Sequence, residues 1–477
     1  MRANHRSSIR IHKLLGAVAA FALTAAGSQA FAAANIVIVN VNAAGVGFND
    51  PTPAAPVGGN NGTTLGAQRL NAFQSAAQTW GATLTSSVTI VIQAQFTPLD
   101  CDATSAVLGS AGPTSVFRDF TNAPFASTWY HSALADKRAG VDLSPGQPDI
   151  AANFNSNLGN TGCLEGVPFY LGLDNNHGDA IDLVTVLLHE FGHGLGFSTV
   201  TNGSTGRFLN NFPSAYDHFL FDNSRNALWT SLTTNQRKTS AVNARKLAWA
   251  GAQVTSAVPG VLQAGTPFLN ITIPSGIAGQ YLVGAASFGP PLTSNGTAGE
   301  IVRITDSGTL GLACNALSAA NAAKVLGKIA LLDRGTCAFN VKVKNAQNAG
   351  AIAVIIADNV AGTPPPDLGG SDATVTIPSV RISQADGNTF KSTLSGRRNN
   401  RIFGNLALNT AIFSGADANG RALVYTPNPF QGGSSVSHFD TSATPNQLME
   451  PAINDDLQHA VVPPADLTFR LLQDLGW

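Results

Sequence analysis

Charge is scarce in this sequence: Asp, Glu, Lys and Arg make up 12% of 477 residues, and glutamate occurs only as Glu165, Glu190, Glu300 and Glu450. The 27 Lys and Arg nearly balance the 28 Asp and Glu, so no overall field draws the chain to nucleic acid or to an anionic membrane. Disorder is excluded by the opposite abundance, since 44% of the residues are hydrophobic and such a chain collapses. Cysteine is sparse too: Cys101, Cys163, Cys314 and Cys337 lie too far apart in sequence for a Cys-ligated zinc site. Long apolar runs are missing beyond the first few dozen residues, which excludes a later membrane span. No internal repeat and no Gly-rich phosphate loop of the right form is present, so nucleotide binding is not expected.

The first segment reads as an export signal. Arg2, Arg6, Arg10 and Lys13 precede an apolar stretch from Leu14 to about Ala26, and Ala30-Phe31-Ala32 is a small-residue cleavage site. The stretch falls short of the roughly 20 apolar residues that span a bilayer. Residues 1–32 are therefore expected to be removed, giving a protein secreted to a periplasm or the medium and not held by a membrane. In that oxidising compartment the four cysteines form two disulfides, with three pairings open. Pairing neighbours, Cys101 with Cys163 and Cys314 with Cys337, keeps each bridge within one of the units described below and is the expected arrangement.

Along the mature chain, Asn35–Val41 is β-rich, Leu70, Phe73, Ala76, Ala77 and Trp80 recur at helical spacing, and Val88–Ile92 reads as a strand, a β-α-β start. Asp149–Asn155 is expected as an edge strand. Asp179 is expected to cap a helix from Ala180 to about Gly194, with Asp182 in its first turn. That helix is apolar nearly all round, as in a helix buried through the middle of a domain. From about Gln263 to Asn409 the chain turns Gly-rich and β-branched, with a second β-α-β unit over Lys328–Gly335, Lys342–Ala349 and Ala351–Ile356. Pro364-Pro365-Pro366 is a loop or a short extended segment. The first strand begins close to Ala33, which leaves no room for an N-terminal blocking segment.

The chemistry sits in His189-Glu190-Phe191-Gly192-His193. Residues four apart share a helix face, so two imidazoles can meet one metal ion while Glu190 projects beside them towards a water. Zinc held by three protein groups activates such a water, and a carboxylate can carry its proton to a leaving amine. Nine His and four Glu placed at random give this pattern in about one chain in a thousand. A third ligand is required, and Gly196 can turn the chain out of the helix to reach it. Asp217, His218, His438 and His459 are candidates, with His131 and His177 upstream. Asp174-Asn175-Asn176 offers oxygens to a calcium ion, and has equally the composition of an ordinary turn.

His189-Glu190-Phe191-Gly192-His193-Gly194-Leu195-Gly196 resembles the opening of the metzincin zinc motif, whose common form has a third His three residues later. Thr199 stands there, so the short-spacer form is excluded. Ser437-His438-Phe439-Asp440, followed by Asn446-Gln447-Leu448-Met449-Glu450-Pro451, resembles the third-ligand and Met-turn region of the leishmanolysin-like metzincins. The resemblance implies His438 as third ligand and Met449 as a hydrophobic floor under the metal. The separation, 438 − 196 = 242 residues, is explained if a whole domain is inserted. The intervening block resembles a protease-associated (PA) domain through Gly327–Phe339 and Ala346–Ala351.

The expected architecture is thus α+β: a metzincin-like zinc protease domain in two segments, 33–262 and 410–477, interrupted by a β-rich α/β PA domain over 263–409. The resemblance implies a zinc-dependent endopeptidase acting on protein or peptide substrates, with one Zn²⁺ on His189, His193 and His438. Glu190 would be its general base and then general acid. A zinc hydrolase of non-peptide substrates and a secreted binding or adhesion protein with a protease-like fold are the competing readings. Cleavage specificity and oligomeric state are not legible.

Overall fold

The computed structural model describes residues 33–396 and 401–477; the expected export signal lies outside the described residues. The β-α-β start is present. Strand β1 (Ile36–Asn40) and β2 (Ile90–Thr97) pair in parallel, joined by α1 (Leu65–Thr83). Thr64 caps α1, its hydroxyl accepting from the Ala67 N–H at 3.2 Å. Phe73, Ala76 and Trp80 face inward and are fully buried, each large side chain contributing roughly 1.5–3 kcal/mol by leaving water.

Two further strands complete this sheet, β3 (Gly109–Pro113) and, after α2 (Ser132–Ala139), β4 (Ile150–Asn155), in the order β1-β2-β4-β3. The expected edge strand is therefore interior: β4 lies between β2 and β3, and the edge is β3, running antiparallel to β4. Its sequence, Gly-Ser-Ala-Gly-Pro, has no β-branched or aromatic residue and gives no strand signal.

The motif helix α3 (Leu183–Gly194) is buried on almost every side. Its cap is Asp182, which accepts from the Thr185 N–H at 2.7 Å, and not Asp179, because Ile181-Asp182 form a short strand before the helix begins. Gly196 has φ +125°, and the chain turns there as expected. Helix α4 (Ala252–Val261) then leads out of this part of the molecule.

Residues 264–413 build a second sheet of eight strands: β5 (Ala264–Ile273), β6 (Gly279–Tyr281), β7 (Gly284–Ala285), β8 (Thr297–Arg303), β9 (Ile329–Asp333), β10 (Ala353–Ala357), β11 (Ser379–Ile382) and β12 (Ile402–Phe413). The order is β6-β5-β12-β8-β9-β10-β11-β7, with β8 to β11 parallel. Helices α5 (Ala319–Val325) and α6 (Phe339–Asn348) make the β8-to-β9 and β9-to-β10 crossovers that parallel pairing demands; the β10-to-β11 crossover is a long loop, and α7 (Gln384–Leu394) follows β11 on the way to β12. Separate apolar clusters cover its two faces. The strands where the chain enters and leaves, β5 and β12, are paired neighbours, Ala264 opposite Phe413.

A further core gathers buried residues from two stretches of chain, Ala34 to Leu262 and Ala416 to Leu475, and includes the C-terminal helix α8 (Thr468–Leu475). Cys101–Cys163 and Cys314–Cys337 are disulfide-bonded, the expected pairing, across separations of 62 and 23 residues. Loops of that size constrain the unfolded chain by about 3–4 kcal/mol each. The whole is a mixed α/β chain, and among the described residues no helix is long and apolar enough to cross a membrane.

Candidate active site

His189 and His193 project from one face of α3, and the stretch after β12 brings His438 against them. The three Nε2 atoms form a triangle with sides of 3.2 Å (His189–His193), 3.1 Å (His193–His438) and 3.3 Å (His189–His438). Each Nδ1–H donates to a backbone carbonyl: His189 to Leu448 at 2.7 Å, His193 to Phe197 at 2.8 Å and His438 to Ser434 at 2.8 Å. An acceptor at every Nδ1 requires the proton there and leaves a lone pair on every Nε2. Three lone pairs aimed at one point repel unless a cation lies among them. Tetrahedral zinc, about 2.0–2.1 Å from each nitrogen, sets its ligands about 3.4 Å apart, close to the triangle present here.

Burial reinforces the neutral state of these rings. It pushes His189 down to about 4 and His438 down to about 3, where the neighbouring His189 adds repulsion. His193 is driven well below its ordinary value by burial and then by its two histidine neighbours. Among the described residues this is the one group of three potential metal ligands that converges. Glu190 lies beside the triangle, and burial pushes its carboxyl up to about 7 against the opposing effect of the Ala111 N–H, which donates to Oε2 at 2.8 Å.

The site opens into a cleft of about 1060 Å³ with β3 on one rim and the Gly432–Ser435 loop and Pro451–Ile453 on the others. Gly109 and Ala111 point their backbone groups away from β4, since Leu108 bonds Asn155 and Thr114 bonds Asp149 in the alternating ladder. Beneath the triangle, Met449 is fully buried. A Cβ on Gly192 would lie 2.8 Å from its sulfur, so α3 approaches this turn closely enough to need glycine. The Met449 turn is held by Asp466, whose carboxylate accepts from the Leu448 N–H at 2.6 Å, and by Gln447, which accepts from the Leu467 N–H at 2.9 Å.

The other candidate ligands are occupied elsewhere. Asp217 accepts from Thr199 Oγ1 and Thr201 Oγ1, both at 2.6 Å, and from the Ser214 N–H at 2.7 Å. His218 stacks on Phe125 with centroids 4.1 Å apart and meets Thr128 Oγ1 at 2.9 Å. His459 pairs with Asp182 at 2.8 Å, and His177 Nδ1 meets the Ala180 carbonyl at 2.8 Å. His131 is buried, with Nε2 3.5 Å from Ser198 Oγ. Asp174 takes the Tyr170 hydroxyl at 2.6 Å. Sequence reasoning missed Ala111, Ser434 and Leu448 because they act through backbone groups that carry no side-chain signal. Asp466 had a readable position just ahead of a helix, but nothing tied it to the distant Met449 turn.

Residues 297–390 match the PA domain family. Vacuolar-sorting receptor 1 of Pisum sativum is 33% identical over 138 residues, 27% of this chain and 22% of the receptor. Leucine aminopeptidase 2 of Arthroderma otae is 37% identical over 108 residues, 23% of this chain and 20% of that protein. The chain thus spans about a fifth of the length of these curated relatives. Among solved structures, a zinc aminopeptidase from Bacillus subtilis aligns at 29% identity over 32% of this chain and 35% of its own, with a TM-score of 0.22. An aminopeptidase from Aneurinibacillus sp. strain AM-1 aligns at 27% identity over 34% of this chain and 38% of its own, also at 0.22.

Proposed function

We propose that the chain is a secreted zinc endopeptidase of the metzincin type, built from residues 33–262 and 410–477, with a PA unit over 263–409 set into it. The observation that carries this reading is the triangle of His189, His193 and His438 lone pairs, each ring oriented by a backbone carbonyl. The apolar core drawn from both sides of the eight-stranded sheet supports the two-segment protease unit. These three imidazoles would hold one Zn²⁺, which when bound polarises a carbonyl and acidifies a water.

The chain's own groups supply the rest. Glu190, buried beside the three imidazoles, takes a proton from the attacking water and returns it to the leaving amine. The Ala111 N–H fixes the carboxylate against the edge strand. An extended peptide adds to the free edge of β3, where the Gly109 backbone groups and the Ala111 carbonyl face the cleft. An aminopeptidase needs an anionic group for the substrate's free ammonium. Glu190 is the one carboxylate lining the cleft, which favours cleavage within a chain.

The test is zinc content per chain together with casein hydrolysis, for wild type, Glu190→Gln and His438→Ala. One zinc and chelator-sensitive hydrolysis are expected in wild type, metal without activity in Glu190→Gln, and loss of both in His438→Ala. N-acetylated peptides are expected to be cleaved as well as free ones. A wild-type protein with neither zinc nor hydrolysis would overturn the reading in favour of a binding module.

A further inference from the structure

Two hydrogen bonds cross from the eight-stranded unit to the rim of the cleft. The Thr363 N–H donates to the Asn428 carbonyl at 2.8 Å and the Asn428 N–H donates to the Thr363 carbonyl at 2.7 Å, an antiparallel bridge. Asn428 begins the segment that contributes Phe430 and Gly432–Ser435 to the cleft wall. The same segment sets the third imidazole, through the Ser434 carbonyl on His438 Nδ1.

The two partners differ in stiffness. On the cleft side, residues 428–433 are mostly exposed and include Gly432-Gly433, a stretch with much backbone freedom to lose, anchored by the half-buried Phe430 and by Gln431, whose N–H donates to Ser435 Oγ at 2.9 Å. On the other side the arm from Asp358 to Leu368 is rooted at both ends. The Asp358 N–H bonds Ile382 at 3.0 Å and its carboxylate is held by Arg334 and Arg381. The Leu368 N–H bonds Ala285 at 2.7 Å, and the Leu368 side chain is fully buried. Between these roots, Pro364-Pro365-Pro366 follow Thr363 directly, and consecutive prolines with fixed φ lose little entropy on ordering.

We propose that this arm, residues 358–368, is a positioning element of the active site: by pairing Thr363 with Asn428 it holds the Phe430–Ser434 wall in place and so fixes the carbonyl that orients His438. The inserted unit on this account braces the cleft wall from behind, although none of its residues lines the cleft. The proposal rests on the reading of His438 as a metal ligand for its effect on zinc, but its effect on the wall is independent of that reading.

The experiment uses the full mature protein and two variants, one with Val360–Pro365 replaced by Gly-Ser-Gly so that the arm cannot reach, and Thr363→Pro, which removes a single donor N–H. Amide exchange is followed over 428–437, zinc affinity by competition with a chromophoric chelator, and KM and kcat on casein-derived peptides. Both variants are expected to show exchange at 428–437 faster by about tenfold or more, with zinc held correspondingly more weakly and KM rising more than kcat falls. Exchange in α3 and in β8–β10 stays at the wild-type rate. Unchanged exchange and unchanged zinc affinity in both would overturn the proposal. If the shortened arm also speeds exchange in β8–β10, Thr363→Pro decides alone. A wild type without zinc or hydrolysis would defeat the peptidase reading, while exchange at 428–437 would still report on the brace.

Discussion

Gly194, next to the second histidine of the motif, shows how tightly a single position is specified. A Cβ there would lie 2.6, 2.7 and 2.9 Å from three side-chain carbons of Ile150 in β4. Ile150 is β-branched and fully buried, so its restricted χ1 leaves it little room to yield. Gly194→Ala is expected to destabilise the protein by about 1–3 kcal/mol through overpacking, which outweighs a helix-propensity gain of about 1 kcal/mol at most. Calorimetry checks it, and an unchanged melting temperature would show that β4 can yield. The sequence displays this glycine without its reason, because the reason is a partner 44 residues upstream (194 − 150 = 44). Thr199 is the converse case. As a departure from the common zinc motif it was legible; that its hydroxyl instead serves Asp217 was not.

Legibility at the level of elements follows the strength of local patterning. Helix α3 and the unit β9-α6-β10 carry dense periodic or β-branched signals and are found where the sequence puts them, within a few residues. Strand β3 carries none, so the sequence shows no strand beyond β4 and leaves β4 looking like the edge, although it is paired on both sides. What makes β3 a strand is the ladder to β4, a tertiary cause invisible to local propensity. Its outward groups give a prediction. Ala111→Pro removes an N–H that faces the cleft and no bond of the β3–β4 ladder. It is expected to lower kcat/KM by about tenfold or more through loss of the Glu190 contact, with a change in stability under about 1 kcal/mol. Wild-type kcat/KM in a normally folded variant would count against the role given to this edge.

At the scale of the molecule, a buried pair of acids sets a pH response. Asp136 and Asp149 face each other where α2 meets the start of β4; burial pushes Asp136 up to about 7, with Asp149 adding repulsion, and raises Asp149 as well. Between about pH 4, where these groups titrate in the unfolded chain, and about 7, the folded protein binds more protons than the unfolded one, so stability falls as pH rises. Asp136→Asn is expected to flatten that fall, seen as a smaller loss of denaturation midpoint between pH 5 and pH 8 than in wild type. An equal loss in both would place the response elsewhere. The proposed two-part organisation rests on motif fragments at 189–196 and 437–451, whereas the pairing of β5 with β12, which would make such an insertion sterically easy, carries no signal in the sequence. That organisation has a consequence for how the chain comes into being. During synthesis from the N-terminus, His189 and His193 emerge some 245 residues (438 − 193 = 245) before His438. Until the eight-stranded unit has emerged and folded, the protein carries two imidazoles and no third. If the proposed chemistry holds, the cell that makes it handles an incomplete catalyst for most of its passage, and cutting power arises only as the final segment arrives.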